Sequence, residues 1–161
     1  MEFMDVVRKR RSIRRYKNKP IPDEVLEEIL ESGRLAPSGA NRQPWEFFVV
    51  TDQGLKERME VPEWAAEAPA VLGVCGDPEV SQNWHVVDPT IAMEHMVLAA
   101  ANLGLGTCWL GKLGRDEKIK AALGIPDRLK VIAITPVGYP DESPPAKDRK
   151  PLSQIVHYES F

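Results

Sequence analysis

Cysteine and histidine are scarce in this chain: 161 residues hold two cysteines, Cys75 and Cys108, and three histidines. Both cysteines sit in apolar, strand-like stretches. They read as buried thiols in a reducing compartment, which argues against a disulfide framework and for a cytoplasmic protein. His85, His95 and His157 share no ligand-like spacing with one another or with the cysteines, so no metal site is expected. No apolar run approaches the ~20 residues of a membrane span. The opening MEFMDVVRKRR puts its charge after its apolar residues, the reverse of a secretory signal. Ser38 lacks the glycine before it that a nucleophile elbow needs. Gly104 and Gly106 lack the third glycine of a dinucleotide loop, since Trp109 stands at that position and the pair follows a helical stretch. Nothing specifies hydrolysis or nucleophilic catalysis, and no catalytic side chain is named.

With 43% hydrophobic and 28% charged residues, the chain suits one compact domain over 1–161. A domain of this size buries roughly 68–70% of its unfolded surface, enough for a substantial core. Charge is unevenly distributed. Arg8–Lys19 carries eight bases in twelve positions and no acid, which leaves thirteen bases against 24 acids elsewhere. A dense basic cluster on an acidic body points to a local anion site; a chain that coats nucleic acid would be basic throughout. The bland alternative is a solvated charge run, and Arg8, Arg15, Lys17 and Lys19 are read that way.

Apolar spacing predicts helices over 2–9, from Pro22 to just before Pro37, over 53–60, and over 115–123 with Gly124 as its stop. A further helix over 89–103 is expected to start at an Asp88 N-cap and to end at Gly104. Apolar almost all round, it belongs in a core or a subunit interface. Strands are predicted at Trp45–Val50, Pro69–Cys75, Thr107–Leu110 and Lys130–Val137. The resulting class is a three-layer α+β fold with a mixed sheet. Trp45, Trp64 and His95 are assigned to packing.

Arg10, Ser12 and Arg14 alternate just after the first helix, so on extended backbone they share a face. Two guanidinium forks and a hydroxyl there can hold a phosphate. Lys147 and Arg149 repeat a basic pair near the far end, and together the groups suit a clamp assembled from both ends of the chain.

KRRSIRRY followed by LAPSGANRQPW resembles the paired signature of the nitroreductase family of flavoproteins, and the order of elements agrees over about residues 2–152, through TCWLG and PVGYP to KDRKPL. The resemblance implies FMN. It places Arg10, Ser12, Arg14, Lys147 and Arg149 at the phosphate and ribityl end, with Arg11 contributing through its backbone. Pro37, Ser38, Gly39 and Asn41 match a loop that meets the flavin ring from the partner subunit of a homodimer, and Gln43 supports that loop. Leu110 and Gly111 match the segment beside the flavin's N5. The implied reaction takes hydride from NADH or NADPH and passes electrons to a small acceptor (nitroaromatic, quinone or flavin) by a ping-pong route. A flavin carrier or sensor without turnover is the alternative. Two departures stand out. Met59-Glu60-Val61-Pro62 lacks the amide side chain that many members place there, and the connections around the second strand leave no room for the helices that often roof the pocket, making the chain short for the family.

Overall fold

Two strands apolar along almost their whole length lie at the middle of the sheet. In the computed structural model, which describes residues 2–161, β2 (Ala70–Gly76) is buried at every position and β5 (Lys130–Gly138) at all but Lys130. Such strands need layers over both faces. They pair antiparallel with each other; β1 (Trp45–Val50) pairs antiparallel with β2, and β3 (Gly106–Thr107) and β4 (Leu110–Gly111) with β5. The order is β1-β2-β5-β3, with β4 also on β5. The parallel component of the expected mixed sheet reduces to one bridge, Ser12 to Thr107.

The two faces follow the strand period of two. Ala70, Leu72 and Val74 of β2 face a cluster built with Leu26 and Ile29 of α2 (Asp23–Arg34) and Met93, Met96 and Ala100 of α5 (Val87–Asn102). Val71 and Cys75 face a second cluster with Met59, with Leu55 of α3 (Gln53–Arg58) and with Ile119 of α6 (Glu117–Leu123). The register shift opposite Val74 and Cys75 skips Ile132 of β5, so the alternation slips on that strand, where Ile132 and Ala133 both join the first cluster. The expected three layers are therefore present. α1 (Phe3–Lys9) packs on α5.

Local chemistry sets the boundaries. Asp23 and Glu24 occupy the first turn of α2, where the helix dipole favours acids. The Asp52 carboxylate caps α3 by accepting from the Leu55 N–H at 2.7 Å. Gly124 closes α6 in the left-handed conformation at φ 67°.

Several expectations need correction. Residues 77–86 wind toward α5 through bonds of helical span, Ser81 N–H to Asp77 O, His85 N–H to Ser81 O and Asp88 N–H to Trp84 O. The helix consequently starts at Val87, and Asp88 lies inside it and is not its cap. The strand expected over 107–110 breaks in two, because the Cys108 N–H turns to the Thr135 hydroxyl at 3.1 Å. The helix expected from 115 begins at Glu117. A one-turn helix, α4 (Glu63–Ala66), fills part of the connection that seemed too short for one. The apolar residues of α5 are largely consumed by this chain's own core, so its composition alone is no evidence for a subunit interface. No helix among the described residues is long and apolar enough to cross a membrane.

Because Met93 is fully buried between α2 and the sheet, Met93→Ala is expected to destabilise the fold by about 2–5 kcal/mol. Urea unfolding checks this: the midpoint should fall with the slope unchanged.

Candidate functional site

Beyond α1 the chain becomes extended, with Arg10 at φ −54° and ψ 133°. Ser12 then bridges Thr107 of β3, and the Ile13 N–H donates to the Thr107 carbonyl at 2.8 Å. Ile13 is buried against Gly106, where an added Cβ would come within 2.7 Å of its side chain, so Gly106 permits this close approach. Farther on, the Lys17 N–H donates to the Tyr139 carbonyl at 2.9 Å and the Asp141 N–H to the Arg15 carbonyl at 3.0 Å. The N-terminal segment is thus laced to the strand that follows α5 and to the start of the C-terminal tail.

This lacing brings both basic groups together. Arg10, Arg11, Ser12 and Arg14 line a cleft of about 120 Å³ opposite Pro144, Pro145, Lys147 and Arg149. No acid lines it. Arg11 turns its guanidinium away, onto the carbonyls of Arg8 at 2.6 Å and Arg10 at 2.8 Å. The Arg14 N–H donates to the Glu142 carboxylate at 2.5 Å, while its guanidinium lies 5.7 Å from the centre of the Trp64 ring. Trp64, assigned to packing from sequence, thus holds a clamp residue by a cation–π contact. Arg149 likewise donates to the carbonyls of Lys147 and Asp148, at 3.1 Å each. The positive charge and the hydroxyl gathered around a space of this size suit one phosphate group. A larger cleft on α2, about 590 Å³, is lined by Glu24, Glu27, Glu28 and Glu31 and carries the wrong charge.

Tyr16 fastens the turn behind the clamp. Its hydroxyl donates to the Ile13 carbonyl at 2.5 Å. Burial, reinforced by Cys108 and Glu142, pushes its phenol far above the usual value of 10.0. Burial likewise pushes the Cys75 thiol up to about 12, with Asp116 and Glu46 adding to the effect, so Cys75 offers no nucleophile at neutral pH.

The loop carrying Pro37, Ser38, Gly39, Asn41 and Gln43 is elsewhere, between α2 and β1, and none of these residues lines the basic cleft. Its Gly39 N–H donates to the Asp88 carboxylate at 3.0 Å. Sequence reasoning missed this role because Asp88-Pro89 has the form of a helix start. Gln43 supports the loop as expected: its N–H donates to the Ser38 hydroxyl and its amide to the Asn41 carbonyl. Leu110 and Gly111 pair with Ile134 and Ala133, and an added Cβ at Gly111 meets nothing within 4 Å, so that backbone is open on one side. Burial lowers the adjacent Lys112 amine from its usual value, with Arg115 adding to the effect. Met59 is buried in the core and Glu60 pairs with Lys118 at 2.9 Å, so no amide side chain replaces the missing one there. His95 Nδ1 donates to the Ser32 carbonyl, 3.2 Å away, in the packing role expected of it.

Comparison with known proteins places these features in context. The family model described as the nitroreductase family matches residues 7–72 and 61–139. A protein of Archaeoglobus fulgidus, provisionally named an NADH dehydrogenase/NAD(P)H nitroreductase, is 38% identical over 88% of this chain and 87% of its own. A solved structure from Parabacteroides distasonis with the same provisional name superposes with a TM-score of 0.92 at 30% identity, covering 100% of this chain and 99% of that one. An FMN-dependent nitroreductase from Clostridium difficile gives 0.90 at 30% identity, with 98% and 99% covered. These matches run nearly end to end on both chains.

Tyr16→Phe should lower stability by about 1–3 kcal/mol, the cost of leaving the Ile13 carbonyl unpaired. The raised phenol also sets a pH dependence. Its stabilising contribution is complete below the unfolded pKa near 10 and is lost as pH rises above it. Ultraviolet titration should show Tyr16 ionising only with unfolding.

Proposed function

The chain belongs to the nitroreductase family, and from that premise we propose that it is an FMN-dependent oxidoreductase working as a homodimer, with NADH or NADPH as donor and a nitroaromatic, quinone or flavin as acceptor. The observation that carries this reading is the acid-free cleft in which Arg10, Ser12 and Arg14 face Lys147 and Arg149. It suits a single terminal phosphate, as FMN has, and no pyrophosphate loop accompanies it.

When bound, FMN supplies the hydride and electron chemistry. The chain's own residues bind, orient and tune. Arg10, Arg14, Lys147 and Arg149 neutralise the phosphate, and Ser12 adds a hydroxyl donor. Positive charge from Arg10 or Arg14 favours negative charge gained by the ring on reduction. The backbone at Gly111, open on its side-chain side, would let a bound flavin ring approach it closely. No protein acid or base is assigned a step. Donor and acceptor would occupy one site in turn, which gives ping-pong kinetics.

A homodimer is the reading that the family resemblance supports: Pro37–Gln43 does not border the basic cleft of its own chain, which fits a loop whose hydroxyl and amide groups would meet the flavin of a second copy. Exposed Leu35, near that loop in sequence, Trp84, against Gly39, and Val80, around one hollow with Arg42, supply apolar surface for the contact. The two buried free thiols fit a reducing compartment such as the cytoplasm.

Arg14→Ala and Arg149→Ala are each expected to weaken FMN binding by about 1.5–3 kcal/mol, the worth of a charged hydrogen bond. Fluorescence titration of the flavin-free protein measures this. Unchanged affinity in both variants would rule out the clamp.

A further inference from the structure

The loop at residues 37–43 holds an unusual backbone. Ala40, Asn41 and Gln43 all lie in the left-handed region, at φ 51°, 54° and 51°, and none is glycine. Such conformations persist only where the surroundings over-determine them. The Asn41 N–H to Ser38 carbonyl bond, the Arg42 N–H to Gly39 carbonyl bond and the two Gln43 bonds are all internal to the loop. Internal bonds shape a loop but do not fix where it sits. Among the described residues, its one hydrogen bond from an outside side chain is that of Asp88, whose carboxylate accepts from the Gly39 N–H at 3.0 Å. Asp88 is itself buried, at 4% exposure, in the first turn of α5, where the helix dipole favours its charge. The Trp84 ring lies against Gly39, where an added Cβ would stand 3.0 Å from it.

We propose that Asp88 is a positioning residue: its carboxylate clasps the strained loop to the start of α5 and so presents Ser38 and Asn41 to the flavin bound by a second copy of the chain. The loop's meeting with flavin rests on the proposed function; the clasp does not. Asp88 touches no substrate or cofactor and acts through the Gly39 backbone. α5 is anchored in the core by Met93 and Met96, so the clasp ties a mobile element type to a rigid one.

The test uses the purified, flavin-free chain and the variants Asp88→Ala, Asp88→Asn and Trp84→Ala. Hydrogen exchange resolved to peptides should show residues 39–43 exchanging at least tenfold faster in Asp88→Ala, while the β2 peptides 71–76 keep their protection. Asp88→Asn, which retains an acceptor oxygen, should restore most of it. Titration with FMN should show affinity falling about tenfold in Asp88→Ala and recovering in Asp88→Asn, with the flavin's visible band shifted only in the former. Should Asp88→Ala fail to fold, Trp84→Ala removes the loop's other outside contact from a half-exposed position and should also speed exchange at 39–43. Unaltered exchange at 39–43 in the folded variants overturns the clasp. Faster exchange with unchanged FMN affinity overturns the loop's role toward flavin and leaves the phosphate clamp, tested at Arg14 and Arg149, standing on its own.

Discussion

Residues 12–17 run along the sheet and the tail as an added ribbon, tied at Thr107, at Tyr139 and, through Arg15, at Asp141. Everything at the basic cleft depends on that ribbon. The two groups of cations lie more than 130 residues apart in the chain, and closing so long a loop carries an entropic cost that grows only slowly with length. The core already meets that cost, because β3 and β5 bring the partners of the ribbon to one edge. Ile13 then plugs the gap at Gly106, and Tyr16 locks the following turn from a position where its proton is held tightly.

Once the ends are joined, electrostatics gives the cleft its character. Five basic residues border a small volume with no acid on its walls, so like charges crowd one another there until an anion arrives. Glu142 stands just outside, on the Arg14 N–H and near Arg15, and fixes the backbone without occupying the space between the side chains. Binding by such a site is salt-sensitive, since exposed charges are screened beyond about 8 Å at physiological ionic strength. The proposed ring-binding half is of a different kind: an open backbone at Gly111 and a strained loop clasped to α5 offer polar groups in place of charge.

Much of this was legible in the sequence because it is local. Alternation of Arg10, Ser12 and Arg14 needs only an extended backbone, and the buried runs of β2 and β5 announce covered strands. The layers followed from periodicity. What escaped depended on distant partners. Asp88 before Pro89 has the form of an N-cap, yet upstream turns had already supplied the helix's first bonds, freeing the carboxylate for Gly39. The break at Cys108 requires knowing that the Thr135 hydroxyl lies opposite. Trp64 reads as a packing residue until Arg14 is seen over its ring. α5 stays open between core and interface in the sequence because composition cannot distinguish a chain's own core from a partner's surface.

The central claim is that both ends of one chain close on the phosphate of FMN while a second chain supplies the loop for its ring. Native mass spectrometry of the purified protein tests this most directly, with the small molecule identified after denaturation. The account predicts two chains of 18.0 kDa carrying two FMN molecules, with flavin and dimer lost together on dissociation. A stable single chain that retains flavin, or a dimer that binds none when FMN is supplied, would contradict it.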